Sequence, residues 1–338
     1  MRILCYSTKS YDKIWFEPLA EDYGYEIRFV ELPCREETLS LAAGYDAVCV
    51  FVNDIIDRHM IDRLCGLGVR AILLRSAGYN HVDVKAAEGR LEILRVPSYS
   101  PEAVAEFAMA LLLTVNRHTH KAYNRTRDFN MSLHGLMGHD LNHKAAGIVG
   151  TGRIGQAMIR ICNGFGMQVL AYDPYPVTGL EARYVSMEEL LRRADVISLH
   201  CPLTKETEHL ICEESIAQMK DGVYLVNTSR GGLIDTDALI TGLLEKKFAG
   251  VGLDVYEEEG IFYEDCSQEI ITDENLARLM TFPNVVITSH MGFLTKEAMQ
   301  AIAIETMENA YALENGLPLL NRVGRDGGNA CKILHDSL

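Results

Sequence analysis

Short apolar runs alternate with amphipathic, helix-like stretches along most of this 338-residue chain. Apolar runs that are separated by helical patterns are typical of parallel strands joined by crossover helices. The pattern therefore predicts an α/β protein built on doubly wound parallel sheets. The predicted strands lie at residues 2–7, 46–51, 70–76, 91–97, 145–149, 167–173, 195–200, 223–227, 250–254 and 285–289.

Two longer helix patterns mark the predicted division of the chain. The first follows Pro101, continues from Glu102 to about Arg125, and is more apolar through 107–115 than one packed face requires. It is either an interdomain or intersubunit helix or a fully buried core helix. The second pattern, at 295–315, would return the chain to its first domain. We therefore predict a split domain of residues 1–100 and 299–338, and a second domain of residues 101–298.

A glycine-rich turn follows the predicted strand at 145–149. Gly150, Gly152 and Gly155 form a Gly-x-Gly-x-x-Gly sequence with a helical pattern behind it. In that context the first glycine permits a tight turn, the second lets the backbone approach a pyrophosphate, and the third lets helix and strand pack closely. The helix N-terminus then faces the phosphate charge. These features predict a dinucleotide-binding Rossmann domain.

An acidic residue ends the next predicted strand. Asp173 follows Gly155 by 18 residues (173 − 155), where a carboxylate would hold the adenosine ribose hydroxyls. Pro174 and Tyr175 come next instead of an arginine, so nothing there favours a 2′-phosphate. The predicted cofactor is therefore NAD rather than NADP.

Charge and cysteine spacing narrow the classes of function. The 32 basic and 47 acidic residues give a net charge of −15, which disfavours nucleic acid and anionic membranes as partners. The longest apolar run, 107–115, is too short to span a bilayer. The nine cysteines never lie closer than 11 residues apart, and the pairs His118/His120 and His139/His143 lack further ligands. We therefore expect a soluble protein of the reducing cytoplasm without a bound metal.

Reactive side chains follow three of the later strands. Arg230 comes after the strand at 223–227, Asp254 ends the next one, and His290 follows the last. Ligands of open α/β sheets bind beyond these carboxyl ends. Reduction of a 2-oxo acid needs a forked cation for the carboxylate and a proton donor for the nascent alkoxide, which arginine and histidine provide. A carboxylate beside the histidine would favour its protonated form, but spacing alone does not choose among the acids at 257–259.

These motifs resemble those of the D-isomer-specific 2-hydroxyacid dehydrogenases over about residues 1–320. The most specific matches are GTGRIG, LHCPLT, VNTSRGG, GLDVYEEEG and the strand-end histidine. LRSAGYNHVD, VPSYSPEAVAE, NRTRD and FYEDCS are most similar to the bacterial fermentative D-lactate dehydrogenases within that family. The resemblance implies a flavodoxin-like substrate domain and a Rossmann NAD domain with a cleft between them. It also implies reversible reduction of pyruvate to D-lactate by NADH.

The resemblance further implies a role for individual residues. Arg230 would bind the substrate carboxylate, His290 would be the acid/base, and Glu259 its partner, since the family's spacing from the arginine ends there. The remaining implied positions are Ala77, Gly78, Tyr99 and Phe293 for the substrate, Arg153 and Ile154 at the pyrophosphate, Cys201, Pro202 and Thr207 at the adenine, and Thr228, Ser229, Arg230 and Asp254 at the nicotinamide.

Two alternatives and the assembly stay open on the sequence. A dehydrogenase for a larger 2-oxo acid, such as 2-oxoisocaproate or phenylpyruvate, would use the same residues. An NAD-sensing corepressor on this scaffold would also retain the arginine, the glutamate and the histidine. The apolar helix and the family habit favour a homodimer, with a tetramer as the alternative.

Overall fold

The first unit of the fold begins with a five-stranded parallel sheet. The computed structural model describes residues 1–258, 268 and 270–324. The sheet order is β2-β1-β3-β4-β5, which is the flavodoxin-like order. Its elements are β1 (Arg2–Cys5), α1 (Ser10–Tyr23), β2 (Glu26–Phe29), β3 (Ala47–Val50), α2 (Arg58–Gly66), β4 (Ala71–Leu74), α3 (Val84–Ala87) and β5 (Glu92–Leu94).

The second unit contains a seven-stranded parallel sheet, in the order β12-β11-β10-β9-β6-β7-β8. Read from β8 through β11 this is the 3-2-1-4-5-6 order of the Rossmann fold, and β12 extends it beyond β11. The strands are β6 (Ala145–Val149), β7 (Gln168–Tyr172), β8 (Arg183–Tyr184), β9 (Val196–Leu199), β10 (Val223–Asn227), β11 (Phe248–Leu253) and β12 (Val285–Ile287). The helices are α4 (Pro101–Arg117), α5 (Thr119–Arg127), α6 (Arg153–Gly164), α7 (Met187–Arg193), α8 (Glu213–Gln218), α9 (Thr236–Leu244) and α10 (Glu274–Thr281).

A last long helix, α11 (Lys296–Glu314), belongs to the first unit. Ala303, Met307 and Ala310 pack into the same core as Phe16 and Ala20 of α1. The units are Met1–Ser100 with the chain from Thr295, and Pro101–Leu294. The predicted boundary at 298/299 therefore falls inside α11, whose N-cap is Thr295.

The two sheets confirm the predicted fold class, and each is covered on both faces. Successive side chains of β1 enter different cores, with Leu4 in one and Ile3 and Cys5 in the other, as the two-residue period of a strand requires. The corresponding cores of the second unit lie against α7 to α10 and against α4 and α6.

The apolar helix pattern after Pro101 is two helices, not one. His118 takes a left-handed conformation (φ 51°) and separates α4 from α5. A Cβ on Gly250 or Gly252 of β11 would lie 3.0 Å from Val115 or Leu111 of α4, so the small residues of the strand admit the helix. The apolar stretch of α4 is therefore a core helix of the second unit. Among the described residues, no helix is both long enough and apolar enough to cross a membrane.

Candidate active site

The glycine-rich turn lies where the chain order of the second sheet reverses, between β6 and β9. Gly150 has φ 93°, and a Cβ there would lie 2.7 Å from the Cys201 nitrogen. A Cβ on Gly155 would lie 2.0 Å from the Gly150 oxygen. Gly152, the N-cap of α6, has no heavy atom within 4 Å of its Cβ position. Two glycines are thus required by packing, whereas the third leaves open space at a helix N-terminus, where an anion binds.

Asp173 is held at this turn by hydrogen bonds. Its Oδ2 accepts from the Thr151 backbone N–H at 2.7 Å and from the Thr151 hydroxyl at 3.1 Å. Its Oδ1 accepts from the backbone N–H of Tyr175 at 2.8 Å. The strand-end acid and the glycine turn therefore form one surface, as a dinucleotide site requires.

The strand ends after β9 and β10 form a neighbouring surface. The Ser229 hydroxyl donates to the Cys201 carbonyl at 2.7 Å, and the Thr207 hydroxyl donates to the Pro202 carbonyl at 2.6 Å. The buried Thr228 hydroxyl has no hydrogen-bond partner within the described residues. A buried hydroxyl with unused capacity is unfavourable unless a ligand satisfies it, so Thr228 fits a polar cofactor at this edge.

Asp254 organises the turn that carries His290. Asp254 is 1% exposed, and its carboxylate accepts from the Thr288 hydroxyl (2.6 Å) and the backbone N–H groups of Met291 (2.9 Å) and Gly292 (2.7 Å). The His290 N–H donates to the Asp254 carbonyl at 2.7 Å, and His290 itself has φ 53°. Burial raises the pKa of Asp254, and these hydrogen bonds and the nearby His290 oppose the rise.

Arg230 lies in a loop packed against the turn after β11. The Asn227 side chain accepts from the Ser229 N–H at 3.0 Å and donates to the Arg230 carbonyl at 2.8 Å. A Cβ on Gly231 would lie 1.8 Å from the Tyr256 carbonyl oxygen, so only glycine permits this approach. Arg230 follows β10 and His290 follows β12, and both residues are half-buried. Because β10 and β12 are the two neighbours of β11, Arg230 and His290 follow strands on either side of it.

Comparison with known proteins decides the family. The model of the D-isomer specific 2-hydroxyacid dehydrogenase NAD-binding domain matches residues 109–292. This chain belongs to the D-isomer-specific 2-hydroxyacid dehydrogenases. The D-lactate dehydrogenase of Escherichia coli (strain K12) is 48% identical over 321 residues, which are 94% of this chain and 98% of that protein.

Solved structures support the assignment of this chain to the family. The apo-structure of the Escherichia coli D-lactate dehydrogenase has a TM-score of 0.88 at 45% identity and covers 96% of this chain and 100% of its own. The Aquifex aeolicus D-lactate dehydrogenase complexed with NAD and lactic acid has a TM-score of 0.83 at 32% identity, with coverages of 93% and 96%. The predicted family and the NAD-binding domain are thus confirmed.

The other predicted site residues of this dehydrogenase fall in both units or outside the described part. Ala77, Gly78 and Tyr99 belong to the first unit, where Arg95 donates to the Ala77 carbonyl at 3.0 Å. Phe293 is 9% exposed in the second unit. Arg153 and Ile154 are the first residues of α6. Glu259 lies outside the described residues. No cluster of three or more potential metal ligands occurs within the described ranges.

His200 lies beside the glycine turn of this dehydrogenase, and the sequence did not single it out. Its backbone carbonyl would lie 2.8 Å from a Cβ on Gly150, and its Nε2 is 2.9 Å from the Ser198 hydroxyl. Burial lowers the pKa of His200 to about 4, so the ring is neutral at neutral pH. Its position at the end of the predicted strand 195–200 was the available signal, because it is a polar strand end like Arg230 and His290.

Proposed function

We propose that this dehydrogenase is an NAD-dependent D-lactate dehydrogenase, which reduces pyruvate to D-lactate reversibly. The observation that carries the proposal is the placement of Arg230 and His290 beyond the two neighbours of β11, in a chain 48% identical to a D-lactate dehydrogenase over 94% of its length. An arginine and a histidine at adjoining strand ends supply the two functions that reduction of a 2-oxo acid needs.

Arg230 binds the substrate carboxylate in this proposal and polarises its carbonyl. The guanidinium presents two parallel N–H donors, which match a carboxylate, and the Gly231 contact holds its loop in place. The family resemblance assigns the backbone N–H groups of Ala77 and Gly78 to the substrate carboxylate, and it assigns Tyr99 and Phe293 to the methyl group.

His290 is the acid/base, and Glu259 is its carboxylate partner. When bound, NADH supplies the hydride that adds to the carbonyl carbon of the substrate. His290 donates a proton to the oxygen that becomes negative, and in the reverse direction it removes the hydroxyl proton. Asp254 contributes by fixing the turn on which His290 stands.

The second unit holds NAD along one edge of its sheet in this proposal. Gly152 and the N-terminus of α6, with Arg153 and Ile154, bind the pyrophosphate, and Asp173 binds the adenosine ribose. The adenine lies against Cys201 and Pro202 near Thr207. Asp254 and the segment Thr228, Ser229 and Arg230 line the nicotinamide side, where the unpartnered Thr228 hydroxyl offers a hydrogen bond.

We further propose that the enzyme works in the cytoplasm as a homodimer. Large apolar side chains are exposed in and after α5, at Tyr123 (60%), Phe129 (89%), Leu133 (83%) and Met137 (90%). Such a concentration supports an oligomeric contact. A mass measurement by light scattering distinguishes the dimer from the monomer and the tetramer.

Initial rates with NADH across a series of 2-oxo acids test the proposed substrate. We expect kcat/KM to be highest for pyruvate and lower for 2-oxoisocaproate and phenylpyruvate. His290→Gln should lower kcat by about 100-fold or more, because it removes the proton donor, whereas Arg230→Gln should chiefly raise the KM for pyruvate. A higher kcat/KM for the larger acids would overturn the substrate, and unchanged rates in both variants would overturn the site.

A further inference from the structure

His209, another histidine of the Rossmann unit, contacts the loop that follows Arg230. His209 Nε2 lies 2.6 Å from Glu257 Oε1, and His209 Nδ1 lies 3.9 Å from Asp235 Oδ2. The side chains of His209 and Glu257 are 42% and 33% exposed. Neither residue belongs to the proposed catalytic set.

The backbone around His209 forms one side of the Arg230 loop. The His209 N–H donates to the Gly232 carbonyl at 2.8 Å, and the Ile211 N–H donates to the Leu233 carbonyl at 2.9 Å. The Asp235 N–H returns a bond to the Ile211 carbonyl at 2.9 Å. The segment that follows Arg230 is therefore fixed by parallel backbone bonding to residues 209–211.

The turn after β11 forms the other side of the loop. The Gly231 contact places the loop directly on the Tyr256 carbonyl. Glu257 Oε2 accepts from the Thr236 hydroxyl at 2.8 Å, at the first residue of α9, while its Oε1 contacts the His209 ring. Glu257 thus bonds to two places around the Arg230 loop. Its Oε1 binds the His209 ring, and its Oε2 binds Thr236, where the loop ends and α9 begins.

We propose that the His209–Glu257 ion pair positions Arg230, by joining the 209–211 segment to the turn after β11 with the Arg230 loop held between them. The inference rests on the proposed role of Arg230 as the carboxylate-binding group. An isolated exposed ion pair contributes little to stability. This pair differs because both partners also bond to the loop, His209 through its backbone and Glu257 through Thr236.

The strength of the His209–Glu257 interaction depends on pH, because only a protonated His209 carries a charge. The pKa of His209 is raised above its ordinary value, chiefly by the hydrogen bond to Glu257 and also by the charges of Asp235 and Glu208. A raised histidine pKa means that the contribution of the pair is complete below the ordinary histidine pKa and is lost as pH rises through the raised value. The positioning of Arg230 therefore weakens on the alkaline side.

Steady-state kinetics of His209→Gln test this role. The ratio of the pyruvate KM in the variant to that in the wild type should be about two- to fivefold at about pH 6. It should fall toward one as pH rises through the raised pKa of His209, with about pH 9 as the upper measurement. kcat and the KM for NADH should change little. Taking a ratio cancels any effect of pH that both proteins share. A ratio of one at both pH values, or an effect on NADH instead of pyruvate, would overturn the inference.

Two further variants test whether the charge of His209 is responsible and whether the effect is specific to this pair. His209→Arg keeps a permanent charge, so its pyruvate KM should match the wild type at about pH 6 and stay lower than the wild type's at about pH 9. His59→Gln is the matched control, because His59 forms a similar exposed pair with Glu36 at 2.9 Å in the first unit. It should leave the pyruvate KM unchanged. Failure of His209→Arg to restore the low KM at about pH 6 would contradict the role of charge.

Hydrogen exchange separates this inference from the proposed function. Backbone amides of residues 230–236 should exchange faster in His209→Gln than in the wild type at about pH 6, whatever the substrate is. If the wild type fails to reduce pyruvate but this exchange increases, the proposed function is wrong and the positioning of the loop stands. If pyruvate is reduced and the exchange is unchanged, the positioning role is wrong and the function stands.

Discussion

Asp254 accepts hydrogen bonds from the backbone of His290 and from the turn that follows His290. The His290 N–H donates to the Asp254 carbonyl at 2.7 Å, while the buried Asp254 carboxylate accepts from the N–H groups of Met291 and Gly292. The left-handed backbone of His290 (φ 53°) is unfavourable for a non-glycine residue, and these hydrogen bonds maintain it. The sequence resemblance placed Asp254 beside the nicotinamide, and the geometry gives it the further task of holding the histidine.

Asp254→Asn should therefore lower both stability and turnover. The amide has one acceptor oxygen instead of two, so at least one buried N–H loses its partner, at a cost of about 1–3 kcal/mol. Displacement of His290 should reduce kcat/KM by about 100-fold. Urea unfolding and steady-state kinetics with pyruvate measure the two effects.

Asp54→Asn is the matched control for this variant. Asp54 is a buried carboxylate of the first unit that also accepts from two backbone N–H groups, those of Cys34 and Phe51, and from one hydroxyl, that of Ser7. Its replacement should cost similar stability with a far smaller loss of kcat/KM. Equal kinetic losses in the two variants would argue against a specific role for Asp254.

Two glycines of the nucleotide turn should respond differently to alanine. Gly150→Ala combines φ 93° with a Cβ 2.7 Å from the Cys201 nitrogen, so it should lose about 2 kcal/mol or more of stability. Gly152→Ala meets no atom within 4 Å and should lose less than about 1 kcal/mol, yet its methyl group occupies the space proposed for the pyrophosphate. We expect its NADH Kd, measured by fluorescence titration, to rise about tenfold or more. Unchanged NADH affinity in Gly152→Ala would contradict the placement of the phosphates.

The sequence predicted this turn well because its physical requirements are local. A strand, three glycines at fixed spacing and a helix pattern specify a strand–turn–helix without knowledge of the rest of the fold. Asp173 was predicted for the same reason, since the next strand of a Rossmann unit is adjacent in space. The arrangement of Asp254 around His290 was not predicted, because its bonds join residues more than thirty positions apart and involve backbone groups that carry no sequence signal.

Asp173 should set the preference for NAD over NADP. Asp173→Ala removes a carboxylate that would bind the ribose hydroxyls and would repel a 2′-phosphate. We expect kcat/KM with NADH to fall about tenfold or more and the NADPH/NADH ratio of kcat/KM to rise. Glu181→Ala, which removes an exposed acid after the same strand, should leave the ratio unchanged. If Asp173→Ala kept the wild-type ratio, another residue would have to select the cofactor.

His200 should make stability depend on pH between about 6.5 and about 4. Burial depresses its pKa in the folded state to about 4, below the ordinary histidine value of about 6.5. As pH falls through that window the unfolded chain binds a proton that the folded chain does not, so stability is lost, by at most about 3 kcal/mol. His200→Gln should lose less stability than the wild type between about pH 7 and pH 4.5 in urea unfolding. An identical pH dependence in the two proteins would show that His200 is not the titrating group.

The elements that the sequence failed to predict have weak or irregular patterns. β2 alternates apolar Ile27 and Phe29 with charged residues, so a search for continuous apolar runs passes over it. β8 has two residues and no periodicity. The break at His118 depends on a left-handed backbone at a non-glycine residue, which helical periodicity does not encode. The His209–Glu257 pair joins positions 48 apart and is visible only in the folded chain.

Chiral analysis of the product formed from pyruvate and NADH shows whether this dehydrogenase makes D-lactate. We expect NADH oxidation with formation of D-lactate in equal molar amount, and loss of that product in His290→Gln. Formation of L-lactate, or no turnover of pyruvate by the wild type, would contradict this expectation.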